Sequence, residues 1–128
     1  MDKNTPIISK LPKTWIIDLD GVIFTHNKYL SDKPHDNILP GSKEFFKKIN
    51  RKDLIIIITA RNIKFRKYTV NKLRRAGIRF NYLIMAAPTG ERIIINDKKP
   101  SGLKTALALN LDRDLGLAEV KFITDKNL

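Results

Sequence analysis

Five consecutive aliphatic residues, 54–58, are the feature that most constrains how this chain can fold. A strand that is apolar at every position is buried on both faces, as in a parallel sheet covered by helices. Less uniformly aliphatic runs stand at residues 15–19 and 82–86, and two shorter runs follow at 93–95 and 120–123. The runs predict a five-stranded, mostly parallel sheet.

Helical patterns separate these runs. One opens at residues 40–42, with Ser42 as the predicted N-cap, and a second runs from about residue 63 to residue 76, where Gly77 ends it. A third covers residues 102–111. Strands that alternate with helices predict an α/β fold, here a Rossmann-like three-layer sandwich.

The length of 128 residues predicts one domain, residues 1–128, with an N-terminal extension at 1–13 and a flap or loop at 22–39. With no cysteine, the chain forms neither disulfides nor thiolate metal sites, so we expect a cytoplasmic location. Residues 1–13 lack the apolar core of a signal peptide, and the longest aliphatic run is too short to cross a bilayer. We therefore expect no membrane association.

The positive charge is concentrated in one third of the chain. The formal net charge is +12, and residues 43–79 hold 13 Lys or Arg against two acidic residues. The positive electrostatic potential of this region favours anionic partners such as phosphorylated small molecules, nucleic acid or acidic lipid. The alternative is that these charges only solvate helix faces.

Polar residues follow three of the apolar runs: Asp18 and Asp20 after the first, Thr59 after the second, and Asp97 after the fourth. Ligands of an open parallel sheet bind beyond the carboxyl ends of its strands. Two carboxylates as close as Asp18 and Asp20 require a cation between them or a shared proton, although Asp20-Gly21 is also a common turn dipeptide. The pattern predicts that residues 18, 59 and 97 lie at one crevice beyond the carboxyl ends of the strands.

Two segments resemble motifs of a known family. Residues 15–22, which read Trp-Ile-Ile-Asp-Leu-Asp-Gly-Val, resemble the first motif of the haloacid dehalogenase-like hydrolases, and residues 55–59 resemble the second. Asp97 matches the acidic residue of the fourth motif, and the resemblance covers about residues 14–102.

The resemblance implies a role for each matching residue. Asp18 would be the nucleophile and a ligand of Mg²⁺, and Asp20 would be the general acid and base and lend its backbone carbonyl to the metal. Thr59 would hydrogen-bond the transferring phosphoryl group, and Asp97 would complete the metal site. Gly21, Ala60, Arg61 and Asn62 are the predicted substrate-binding residues.

The chain departs from the family at the third motif. Residues 85–90 lack the lysine that normally neutralises the nucleophile and the phosphate. Lys98 is the predicted substitute, with Lys99, Arg61 and Arg92 as alternatives.

The gaps between the motifs leave no room for a cap domain, and the resemblance to capless relatives implies a large substrate or a homo-oligomer. Residues 82–100 resemble small hydrolases of sugar and surface-polysaccharide biosynthesis. The predicted function is Mg²⁺-dependent hydrolysis of a small phosphorylated metabolite such as a sugar phosphate. Two alternatives stay open, a nucleic-acid end phosphatase and a non-enzymatic binding or scaffold protein.

Overall fold

The computed structural model describes residues 5–128 and divides the chain into two compact units. The smaller unit contains residues 5–11, 89–110 and 121–128, and the larger unit contains residues 12–88 and 111–120. The single domain predicted from the length stays a prediction. Among the described residues, no helix is long and apolar enough to cross a membrane.

The described residues form short strands and helices in an α/β architecture with small parallel sheets. The strands are β1 (Ile7–Ile8), β2 (Thr14–Asp18), β3 (Leu54–Ile58), β4 (Tyr82–Ile84) and β5 (Ile123–Thr124), and the helices are α1 (Ser42–Lys48) and α2 (Arg66–Arg75). Single 3₁₀ turns occur at Lys28–Leu30 and Ile63–Phe65.

The larger unit is built on a three-stranded parallel sheet in the order β2-β3-β4. The register pairs Thr14 with Leu54 and Asp18 with Ile58, so β2 and β3 end at the same edge. Ile55 and Ile57 of β3 are fully buried, whereas Leu54, Ile56 and Ile58 on the other face are partly buried. The predicted burial on both faces is therefore complete on one face only. The first three predicted strands are confirmed.

Helices α1 and α2 follow β2 and β3 and supply much of the core. Phe46 of α1 is buried, and the neighbouring Phe45 makes an edge-to-face contact with Trp15, with ring centroids 5.6 Å apart. In α2, Thr69 and Leu73 lie one turn apart and are fully buried. The first two of the three predicted helices are confirmed.

The start of α1 differs from the prediction. Gly41, with a φ of 81°, is the N-cap, and no side chain caps the helix. Ser42 is already helical, and its hydroxyl donates to the carbonyl of Ile23 at 3.4 Å. Ser42 is not the N-cap because its hydroxyl bonds the loop that follows β2.

Position 41 also requires glycine because the backbone of residue 118 lies close to it. A Cβ at position 41 would overlap the backbone of Ala118. We expect Gly41→Ala to lower the free energy of unfolding by about 1–3 kcal/mol more than Gly77→Ala does. Gly77 is the matched control because it shares the positive φ, at 73°, but has open space around its Cα. Urea denaturation measures both variants, and equal losses would contradict the overlap.

The smaller unit departs most from the sequence-based predictions. Strand β1 lies in the predicted N-terminal extension and pairs in parallel with β5. The predicted strand at 93–95 and helix at 102–111 contain no regular secondary structure. The described strands thus form sheets of three and two strands, and the predicted single five-stranded sheet is not observed.

Local geometry accounts for these differences. Ile93 and Ile95 are 81% and 92% exposed, so burial does not support a strand there. Gly102 has a φ of 98°, and its N–H donates to the carbonyl of Lys99 at 2.8 Å. A tight turn therefore occupies the predicted helix start, and a ten-residue helix without buried contacts is marginal in water.

Candidate active site

The carboxyl ends of β2 and β3 lie side by side in the larger unit. The backbone N–H of Leu19 continues the ladder by donating to the carbonyl of Ile58 at 3.1 Å. Asp18 is the last residue of β2, and the fully buried Thr59 directly follows β3. Parallel pairing thereby brings these two predicted residues to one edge of the sheet.

A tight loop presents Asp20 at this edge. The carbonyl of Leu19 accepts the N–H groups of Ile23 and Phe24, at 2.9 and 3.1 Å. Gly21 has a φ of 87°, a conformation that glycine adopts without the steric cost of a Cβ, and its N–H donates to the Phe24 carbonyl at 2.7 Å. The buried side chains of Leu19 and Ile23 anchor the loop in the core.

The carboxylate of Asp20 accepts hydrogen bonds from both Thr59 and Arg61. The Thr59 hydroxyl donates to Oδ2 at 2.9 Å, and Arg61 donates to Oδ1 from Nε at 3.1 Å and from a terminal nitrogen at 2.8 Å. The Thr59 oxygen in turn accepts the backbone N–H of Arg61 at 3.1 Å. A hydroxyl has a single donor hydrogen, so in this structure Thr59 orients Asp20.

Arg61 is buried and its guanidinium is fully engaged. Besides Asp20, it binds Asp36 through both terminal nitrogens, at 2.7 and 3.1 Å, and donates to the Thr69 hydroxyl at 3.0 Å. These contacts use all five donors of the guanidinium. The ring of Tyr29 stacks against it, 4.0 Å from Cζ to the ring centroid.

The charges and burial of this cluster shift two pKa values. Burial acts to lower the pKa of Arg61, but the hydrogen bonds to Asp20 and Asp36 outweigh it and raise the pKa, so Arg61 stays charged. Burial, with a smaller contribution from Asp20, raises the pKa of Tyr29, which stays neutral at physiological pH.

The other predicted site residues are distributed as follows. Ala60 and Asn62 are exposed beside Arg61, and the Asn62 side chain accepts the N–H of Lys64 at 2.9 Å. Asp97 and Lys98 are exposed and belong to the smaller unit, where the Asp97 carbonyl accepts the Thr105 hydroxyl at 2.6 Å. The structure therefore brings Asp18, Asp20, Gly21, Thr59 and Arg61 together within one unit.

Residues that the sequence reasoning missed complete the cluster. Tyr29 and Asp36 lie in the predicted loop 22–39, and Thr69 lies on the buried side of α2. Asp114 stabilises the loop that follows β2 through two hydrogen bonds of 2.9 Å. Its N–H donates to the Gly21 carbonyl, and its carboxylate accepts the N–H of His26. Neither a motif nor a periodic pattern marks Tyr29, Asp36 or Asp114, and helical periodicity predicts Thr69 only as a core-facing residue of the second helix.

The donor chemistry of this edge fits Mg²⁺. The Asp18 carboxylate and the Asp20 backbone carbonyl are hard oxygen donors, and Mg²⁺ is commonly held by one or two carboxylates with water and substrate phosphate. The cluster carries an excess of negative charge, because the single guanidinium of Arg61 faces three carboxylates, those of Asp18, Asp20 and Asp36. Over residues 5–128, no group of three or more His, Cys, Asp or Glu side chains is arranged to hold a metal ion.

Comparison with known proteins gave no relatives. No family model matches the chain, and neither the curated proteins nor the solved structures produced a match.

Proposed function

We propose that this protein is a Mg²⁺-dependent phosphomonoester hydrolase that acts through an aspartyl-phosphate on Asp18. The observation that carries the proposal is that Asp18 ends β2 two residues before Asp20, whose carboxylate is held by Thr59 and Arg61. A nucleophile beside an oriented general acid and base is the arrangement that a two-step displacement at phosphorus requires.

The fold supports the same proposal. Strands β2, β3 and β4 are consecutive, parallel and linked by α1 and α2, as in one half of a doubly wound sheet. The Rossmann-like three-layer sandwich of a haloacid dehalogenase-like hydrolase, with five strands and no cap, is part of the proposal.

The proposed reaction has two displacements at phosphorus. In the first, an Asp18 oxygen bonds to phosphorus while the bond to the leaving oxygen breaks and Asp20 gives that oxygen a proton. In the second, Asp20 takes a proton from water, the water oxygen bonds to phosphorus, and the bond to Asp18 breaks. Inorganic phosphate leaves, Asp18 is again an unmodified carboxylate, and Asp20 again carries a proton, as it did at the start.

The metal would be held by the Asp18 carboxylate and the Asp20 backbone carbonyl, and when bound it would neutralise charge on the phosphoryl group. Arg61 would fix Asp20 rather than bind substrate, because its five donors are already used. The roles of Asp97 as a further metal ligand and Lys98 as the replacement cation stay predictions from the sequence, as does a homo-oligomer.

Removal of the metal tests the proposal directly. We expect the purified protein to release phosphate from an aryl phosphate in Mg²⁺, to lose that activity in excess EDTA, and to regain it when Mg²⁺ is restored. The physical reason is that an uncompensated aspartate repels a phosphate dianion. Phosphate release that is indifferent to EDTA would contradict the proposed chemistry.

A small phosphorylated metabolite such as a sugar phosphate is the substrate class we propose first. Nucleic-acid ends are a second candidate, favoured by an open hollow of about 540 Å³ beside α2 that Lys64, Arg66, Lys67 and Arg74 line. Binding of single-stranded DNA or RNA that weakens steeply with salt would favour this candidate. A panel of phosphorylated sugars, nucleotides and oligonucleotides in the phosphate-release assay separates the two.

A further inference from the structure

Asp36 is a buried carboxylate in an otherwise irregular loop. Its side chain is completely inaccessible, and both of its oxygens bind Arg61, Oδ1 at 2.7 Å and Oδ2 at 3.1 Å. Burial of a carboxylate is costly unless it is paired and hydrogen-bonded. The two-point pairing satisfies that requirement, but the loop itself gives no reason for an acidic residue at this position.

The geometry of Arg61 provides the reason. The guanidinium is planar and its donors form a rigid fork, so groups that bind one side fix the direction of the other. Asp36 and Thr69 hold the terminal nitrogens, and the Tyr29 ring covers the face of the group. The Nε side is thereby directed at Asp20.

We propose that Asp36 is a positioning residue for Asp20 and acts through Arg61. The inference rests on the proposed function, because Asp20 is the general acid and base there. Asp36 itself contacts neither the nucleophile nor the substrate in this scheme.

The substitution Asp36→Asn tests this role. Asparagine keeps one oxygen acceptor for Arg61 but replaces the other with an NH₂ donor and removes the charge, so the guanidinium loses its two-point support. We expect kcat for an aryl phosphate to fall about 10-fold or more, with KM changed less than about 3-fold, because misplacement of a reacting group slows the chemical step. Asp32→Asn, an exposed position of the same loop, should keep the wild-type values.

Arg61→Lys provides a second variant. Lysine keeps the positive charge but lacks the planar fork, so it does not bind both carboxylates in one geometry. We expect its kcat to fall at least as far as in Asp36→Asn. Wild-type kcat in either variant would overturn the proposal, as would a loss that appears only in KM.

A stability cycle tests the link independently of activity. Asp20→Asn, Asp36→Asn and the double variant are unfolded in urea, first with Arg61 and then in an Arg61→Met background. We expect the two aspartates to be coupled about 5-fold or more in the unfolding equilibrium constant with Arg61 present. In the Arg61→Met background only the repulsion between the two carboxylates remains, so the coupling should change markedly.

The two readouts separate the proposals. Additive effects with Arg61 present would overturn the positioning role whatever the activity. If the cycle shows the coupling but the wild-type protein releases no phosphate, the proposed function is refuted and the physical link between Asp36 and Asp20 remains.

Discussion

Replacement of Asp18 by asparagine is expected to abolish phosphate release from an aryl phosphate in saturating Mg²⁺, with a loss of about a thousand-fold or more in kcat. The amide that replaces the carboxylate is a poor nucleophile, and it lacks the charge that would hold the metal in the proposed mechanism. Asp18 is partly accessible at the end of β2, and its carboxylate accepts the N–H of Leu19 at 3.0 Å. Asparagine retains an oxygen that accepts this bond, so the fold should persist.

The measurement is single-turnover phosphate release beside a circular dichroism spectrum of the same sample. Glu44→Gln is the matched control, because it also removes one carboxylate but at an exposed position of α1. It should leave kcat unchanged. Undiminished release by the Asp18→Asn protein would refute the aspartyl-phosphate mechanism. A wild-type protein with no Mg²⁺-dependent release would support the scaffold alternative.

Replacement of Arg61 by methionine is expected to give the largest loss of stability, about 3–5 kcal/mol of unfolding free energy. Methionine fills a similar volume but leaves Asp36, with an inaccessible side chain, and Asp20, with a side chain 12% exposed, without their shared cation. Uncompensated buried charge is more costly than the ion pair itself. The loss should therefore exceed that for any surface arginine.

Urea denaturation measures this effect as a shift in the transition midpoint. Arg75→Met is the matched control, because Arg75 is exposed in the last turn of α2 and its replacement should change the free energy by less than about 0.5 kcal/mol. If Arg61→Met and Arg75→Met lower the free energy of unfolding by the same amount, the Arg61 cluster does not stabilise the fold. Asp36→Asn added to Arg61→Met should recover part of the loss, since it removes one of the stranded charges.

The sequence by itself determined the centre of the larger unit. An all-aliphatic run at Leu54–Ile58 is stable only when both faces are covered, so β3 and its crossover helices were predictable from local patterns. Because parallel strands end at a common edge, the same reasoning placed Asp18 and Thr59 near each other. The identification of Asp18 and Asp20 as candidate catalytic residues needed no coordinates.

Only the tertiary structure decided how Asp20 is held. Asp36 and Arg61 are 25 positions apart, and Tyr29 and Asp36 lie in a loop without periodicity, so no local pattern links them. The same limit applies to residues 93–95 and 102–111, where short apolar patterns predicted regular structure that burial does not support. Local patterns record which face of an element is apolar, whereas the partner of a buried charge is fixed by the three-dimensional path of the chain.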